Sequence, residues 1–94
     1  MLKPYMAKNG IIANSDNNKT IAIVGITIFN DENYEITATI NLLNSSNDIE
    51  SKLLETKIAS KETLFLDTKI FLSNGYKLFV NGAYFTLAGN EDVV

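Results

Sequence analysis

Cysteine, histidine and tryptophan are missing from this 94-residue chain, every basic residue is a lysine, and proline occurs once, at Pro4. Each absence removes a class of function. Without cysteine there is no disulfide and no thiolate metal site. Without histidine, Ser-His-Asp and Cys-His catalytic arrangements are impossible, and the commonest general base is gone. Without arginine the chain lacks the bidentate fork that reads phosphates and base edges. Its lysines are dispersed and the net charge is −3, so no basic stripe supplies the counterion-release term on which nucleic-acid binding depends. The chain is expected to bind no nucleic acid. The wealth of Asn, Lys and Ile fits an A/T-rich coding sequence, which accounts for the missing arginine without a functional reason.

Long apolar runs are absent too. None approaches the roughly 20 residues that span a bilayer, and the opening Met-Leu-Lys-Pro-Tyr-Met has no apolar signal core. The expectation is a soluble protein made and kept in a cytoplasm, or carried out of it inside a larger assembly, with no membrane partner.

What is present is a globular composition, 46% hydrophobic, in a length that suits one domain. A domain this small buries roughly 60–65% of the surface of its unfolded chain. Domains without a covalent staple often gain stability by packing on a neighbour, although many of this length fold alone.

Along the chain, residues 1–9 read as an extended N-terminal arm, because Pro4 disfavours helix at Lys3. Gly10 to Ala13 is a short first strand, and Asn14 to Lys19 a polar turn. Thr20 to Phe29 is dense in β-branched residues (Ile21, Ile23, Val24, Ile26, Thr27, Ile28) and apolar on both faces, as in a central strand; Gly25 within it predicts a bulge or a close backbone approach. After the polar Asn30-Asp31-Glu32-Asn33, residues 34–43 alternate, with Tyr34, Ile36, Ala38, Ile40 and Leu42 on one face. The two segments predict an antiparallel hairpin.

Ile49 to Ala59 is ambiguous. Ile49, Leu53 and Leu54 have helical spacing, whereas Leu54, Thr56 and Ile58 alternate; the reading is a strand from Leu53, with a short helical turn before it as the alternative. Leu64 and Leu66 share a face opposite Phe65. Asn74-Gly75 and Asn81-Gly82 each sit between apolar runs and predict hairpin turns, with Leu78 and Val80 inward on the strand between them. Residues 89–94 read as a flexible C-terminal tail. The sum is all-β: a small antiparallel β-sandwich of about seven or eight strands over residues 10–88, immunoglobulin-like or jelly-roll-like.

Chemistry finds little support. Lysine-assisted serine catalysis has no marked pair, and Glu32 and Glu35 belong to a turn and a solvent face, so no carboxylate pair is expected in one cleft. No catalytic residue, cofactor or metal is expected. Oxygen ligands for calcium exist in Asp16-Asn17-Asn18 and in residues 30–33, but Asx residues prefer turns for local reasons. Asn18-Lys19-Thr20 and Asn44-Ser45-Ser46 match the glycosylation pattern and are read as plain loops. Tyr34, Tyr76 and Tyr84 are candidates to line a sugar or peptide surface, although tyrosine is also an ordinary half-buried strand residue.

From Ser60 to Gly82 the chain carries Lys61-Glu62-Thr63-Leu64-Phe65-Leu66-Asp67, then Ile70, then Leu72-Ser73-Asn74-Gly75-Tyr76-Lys77-Leu78-Phe79-Val80. This resembles a segment of small β-sandwich virion proteins of tailed bacteriophages, in which a Glu-Thr/Ser-Leu strand is followed by an apolar strand, a glycine turn and a Lys-Leu-x-Val strand. Residues 20–30 and 36–42 fit the same pattern. The chain departs from it where a Gly-Asp turn is common, since Gly75 is followed by Tyr76. The resemblance implies a structural virion component that decorates or cements the capsid or forms part of the neck or tail, as a homo-oligomer or as copies arrayed on other virion proteins.

On that reading the candidate interface is Leu2, Pro4, Tyr5 and Met6 on the arm, because apolar residues at a free terminus need covering. Phe65, Phe71 and Phe79 come second; core packing is the favoured reading of these three. A second functional hypothesis is an immunoglobulin-like module that recognises a host surface glycan or protein. A small enzyme is the third, and the missing residue types count against it.

Overall fold

The structure, a computed structural model, describes residues 2–16 and 18–93, with only the backbone described for Leu2, Lys3, Pro4, Asp92 and Val93. Among the described residues nine strands follow one another: β1 (Leu2–Ala7), β2 (Gly10–Asn14), β3 (Lys19–Phe29), β4 (Ile36–Leu43), β5 (Ile49–Ile58), β6 (Thr63–Leu66), β7 (Ile70–Leu72), β8 (Lys77–Asn81) and β9 (Tyr84–Val93). They form two antiparallel sheets. One has the order β1-β9-β3-β6, with β7 also on β3; the other has the order β2-β8-β4-β5. The thin axis of the molecule, 17 Å, is that of two stacked sheets.

The pairings nest. β4 pairs with β5, β3 with β6 and β7, β2 with β8, and β1 with β9. The chain is therefore one long antiparallel ribbon, tipped at the β4–β5 turn. It is rolled so that β9 meets β3 and β8 meets β4. This is the jelly-roll arrangement. Its core is the set of inward residues of both sheets, among them Ile21, Ile23, Ile26, Ile28, Ile40, Ile58, Leu72, Leu78, Val80, Phe85 and Leu87.

Rolling corrects three expectations about hairpins. β3 and β4 do not pair: β3 lies in the first sheet and β4 in the second. The link between them turns on Asn30, which is fully buried. Its amide donates to the carbonyls of Tyr34 (2.8 Å), Ile58 (3.0 Å) and Ala59 (3.1 Å), and its Oδ1 accepts the Glu32 N–H (2.8 Å). Asn74-Gly75 is a tight turn, with both residues at positive φ and the Tyr76 N–H on the Ser73 carbonyl, but it carries the chain from β7 in one sheet to β8 in the other. The Asn81-Gly82 turn likewise crosses from β8 to β9. In each case the local turn chemistry is as expected, and the strands leaving it find partners farther along the chain.

Two further corrections concern the termini. Residues 2–7 are not a free arm. They form an edge strand in register with β9, from Leu2 opposite Asn90 to Ala7 opposite Phe85. Nor is 89–93 a loose tail, since β9 continues to Val93 opposite Lys19. Glu91 looks out of place in a strand, yet the Tyr5 hydroxyl donates to its Oε2 at 2.8 Å and Lys19 Nζ stands 3.6 Å from its Oε1. Met1 and Val94, which also fall in those two expected segments, lie outside the described residues, as does Asn17.

Residues 49–58 are strand throughout, without the helical turn offered as the alternative. Two register shifts against β4 explain the mixed spacing. Leu53 and Glu50 are each extra residues on the β5 side, and each reverses the alternation. The bulge expected near Gly25 is present at Val24, between the Ile23–Gly89 and Gly25–Ala88 pairs. At the same level the neighbouring strand is interrupted at residues 67–69, so β6 and β7 are two pieces of one strand that detours around the bulge.

The Tyr5–Glu91 contact can be tested on its own. Burial, then the hydrogen bond to Glu91, then its negative charge, push the Tyr5 phenol up to about 12. A raised pKa on an acid means that its stabilisation is complete below the unfolded-state value and lost as pH rises through the folded one. In an absorbance titration one of the four tyrosines should ionise last, and Tyr5→Phe should remove that late step and cost about 1 kcal/mol at neutral pH.

Candidate functional site: the outer face of the first sheet

Period-two geometry and the pairing registers fix which residues share each outer surface. On the first sheet, one row across the strands runs Met6, Thr86, Thr27, Phe65. The row beside it holds Tyr84, Phe29 and Thr63. On the opposite side of the first row, Ala88 stands beside Gly25 next to the Val24 bulge, and Asn90, Ala22 and Phe71 follow. From Tyr84 to Asn90 on β9 and from Ala22 to Phe29 on β3, no outward position carries a charge.

The large residues on this surface are open to solvent: Met6 is 76% exposed, Phe65 75% and Phe71 67%, with Val24 and Tyr84 also exposed. Their neighbours in sequence point into the core. Leu64 and Leu66 flank Phe65 and pack on the core, as Ile70 and Leu72 do beside Phe71. The expectation that these phenylalanines are core residues is thus corrected. Parity alone puts them outside, because the strands that carry them already spend their inward positions on leucine and isoleucine.

The outer face of the second sheet is different. Thr37, Thr39 and Asn41 on β4 stand beside Lys57, Glu55 and Lys52 on β5. There Lys52 hydrogen-bonds Glu55 at 2.8 Å and holds its carboxyl below the ordinary range. Phe79 lies on this face, half-buried between Ile11 and Asn41, and so is separated from Phe65 and Phe71 by the whole thickness of the sandwich.

Of the expected interface residues, the structure brings Met6, Phe65 and Phe71 together on one surface. Pro4 and Leu2 hold backbone positions in its register, opposite Ala88 and Asn90. Tyr5 lies on the opposite side of β1 and packs on the core. Val24, Phe29, Tyr84 and Ala88 complete the surface. Their signal in the sequence was their outward parity on β3 and β9, which becomes readable once the Val24 bulge is placed.

Two hollows among the described residues lie off this face. One, about 340 Å³, is polar and lies among the loops around Asp16, Ser45 and Gly75. Beneath it the buried Lys77 ammonium donates to the Gly75 carbonyl (3.1 Å) and the Ser45 carbonyl (3.4 Å) and stands 3.9 Å from Asp16, tying three loops together. The other, about 410 Å³, opens between β5 and the β6–β7 interruption and is lined by Ile26, Ile40, Leu53, Leu54, Leu66 and Ile70. Among the described residues no three His, Cys, Asp or Glu side chains gather as metal ligands. The oxygen-rich turns weighed as calcium ligands are engaged locally: Asn30 with backbone, and Asp16 beside Lys77. Tyr34, Tyr76 and Tyr84 do not converge, since Tyr76 packs on the core, Tyr84 lies on the first sheet and Tyr34 in the β3–β4 link.

No family model matches the chain, and no curated protein matches it significantly.

Proposed function

We propose that this chain is a non-catalytic structural component of a tailed-bacteriophage particle, part of its capsid decoration or of its neck or tail. It would pack against neighbouring virion subunits through the outer face of its first sheet. The observation that carries the reading is that face: a broad sheet surface with three large apolar side chains more than two-thirds exposed and no charge among its central positions. Exposed apolar area of that kind marks a surface that another protein covers. The jelly-roll body is a rigid plate suited to such a role, and the resemblance of residues 60–82 to virion proteins points the same way. The glycan-binding alternative gains no aromatic platform, because the three candidate tyrosines are dispersed.

A single introduced charge tests the reading. Phe65→Glu places a carboxylate on the face without touching the core, so the chain should still fold cooperatively. Quantification of the chain in gradient-purified particles should then fall at least tenfold relative to wild type. Undiminished incorporation of the variant would sink the proposal.

A further inference from the structure

We infer that the partner of this face is a second copy of the chain, related by a two-fold axis that runs along the strands between β9 and β3. The inference rests on the reading of the face as an interface and adds to it the identity of the partner. The argument is the match of the face to itself. Adjacent strands are about 4.8 Å apart, so Met6 and Phe65 stand at the two ends of a row about 14 Å long, with Thr86 and Thr27 between them. A two-fold axis between β9 and β3 exchanges the ends of that row. Met6 then meets the partner copy's Phe65, and Thr86 meets its Thr27. In the next row Tyr84 meets the partner copy's Phe29, and on the other side Ala88 meets its Gly25.

Every pairing is favourable. Methionine sulfur on an aromatic ring and aromatic on aromatic are attractive contacts, and small residues face small residues at the centre, where two sheets must approach to about 10 Å. Stacked sheets cross at about 30°, a displacement that Met and Phe side chains can span.

Area and charge agree. The exposed parts of Met6, Val24, Phe65, Phe71 and Tyr84 amount to on the order of 600 Å², taking roughly 150–250 Å² for a whole aromatic side chain. The threonines and alanines between them bring the face near the ~800 Å² per partner of a standard stable interface. Each copy carries a net charge of −3, but the outward positions of β9 from Tyr84 to Asn90 and of β3 from Ala22 to Phe29 carry none of it. Bordering the face are Lys69, beside Val24 and Phe71, and Lys8, which lies 4.9 Å from the Tyr84 ring centroid and is paired with Asp31 and Glu32. The axis sets the two copies' Lys8 residues at opposite ends of the face. The geometry is isologous: one patch serves both partners.

The test is the mass of the full chain in solution by light scattering and native mass spectrometry, with three variants. Wild type should have twice the 10.4 kDa mass of one chain. Met6→Lys and Phe65→Glu should each be monomeric yet cooperatively folded, with a melting temperature that no longer depends on protein concentration as the dimer's does. The double variant, Met6→Lys with Phe65→Glu, should recover the dimer, because the axis sets each new lysine against the partner copy's new glutamate. A wild type that stays monomeric, a trimeric mass, or a double variant that stays monomeric would each overturn the pairing. Incorporation into particles is scored separately. Loss of Phe65→Glu from particles alongside a monomeric wild type would refute the pairing and keep the face as an interface. A dimeric wild type whose Phe65→Glu variant still enters particles would support the pairing and refute this face as the contact that holds the chain in the particle.

Discussion

Gly82→Ala should unfold this protein, or nearly so, lowering its stability by about 4 kcal/mol or more. Gly82 sits in the turn between β8 and β9 at φ +102°, a conformation L side chains rarely adopt. The clash is worse than the backbone angle. A Cβ there would be driven into the Thr37 carbonyl oxygen, 3.1 Å from the Thr37 carbonyl carbon and 3.3 Å from the Ala38 Cα, all of them backbone atoms. Neither side can yield, because Thr37 and Ala38 belong to the β4 ladder and the Gly82 N–H is held by Asn9 Oδ1 at 3.1 Å. Gly10 supplies the control. It too has a positive φ, +117°, but nothing lies within 4 Å of its would-be Cβ. Gly10→Ala should therefore cost only the conformational term, about 1–2 kcal/mol. At about 4–8 °C per kcal/mol for a domain of this size, thermal unfolding should separate the two variants by roughly 10–20 °C. Similar melting temperatures would show that the close approach at Thr37 is not what fixes this turn.

Asn30 should be the most sensitive polar position. Its carboxamide meets three carbonyls and one N–H at the place where the chain leaves the first sheet for the second. Asn30→Ala leaves those carbonyls without their donor in a buried setting, at a cost of about 3 kcal/mol in urea unfolding. Asn30→Asp keeps the shape and should be worse at neutral pH, because a carboxylate would face three carbonyl oxygens. That environment raises the folded-state pKa of the new acid above its unfolded value. Its stability is then whole below the unfolded pKa and is lost as pH rises through the folded one. Asn30→Asp should accordingly recover stability as pH falls from 7 towards 4, whereas Asn30→Ala should show no such recovery. Parallel pH profiles for the two would show that the amide donors are not what holds the link.

Both positions show where sequence reading stops. Residues 30–33 are plainly a turn, and Asn81-Gly82 plainly a tight one, because Asx and glycine chemistry is local. Whether the strands on either side then pair with each other is not local. In a rolled ribbon it depends on partners up to some ninety residues away, as with Leu2 and Asn90. The core was legible for the same local reason. Ile21, Ile23, Ile26 and Ile28, like Leu78 and Val80, follow period two once the bulge at Val24 is allowed, and all are buried. Residues 49–58 resisted because two bulges in one strand counterfeit helical spacing.

The candidate face was half legible. Phe65 stood opposite Leu64 and Leu66 in the sequence, which already pointed it away from the core. Its row-mates Met6, Thr86 and Thr27 come from three strands whose pairing no motif announces. Tyr5 and Met6 are adjacent in sequence, and only the β1–β9 register separates the one that packs inward from the one that faces out.

Under the proposed function, the outer face of the first sheet would be a contact surface within a phage particle. Quantitative mass spectrometry of gradient-purified particles tests it most directly. The prediction is that the chain is present at a fixed, stoichiometric copy number and that Phe65→Glu removes it while the variant remains folded. A chain absent from purified particles, or a Phe65→Glu variant retained in full, would contradict it.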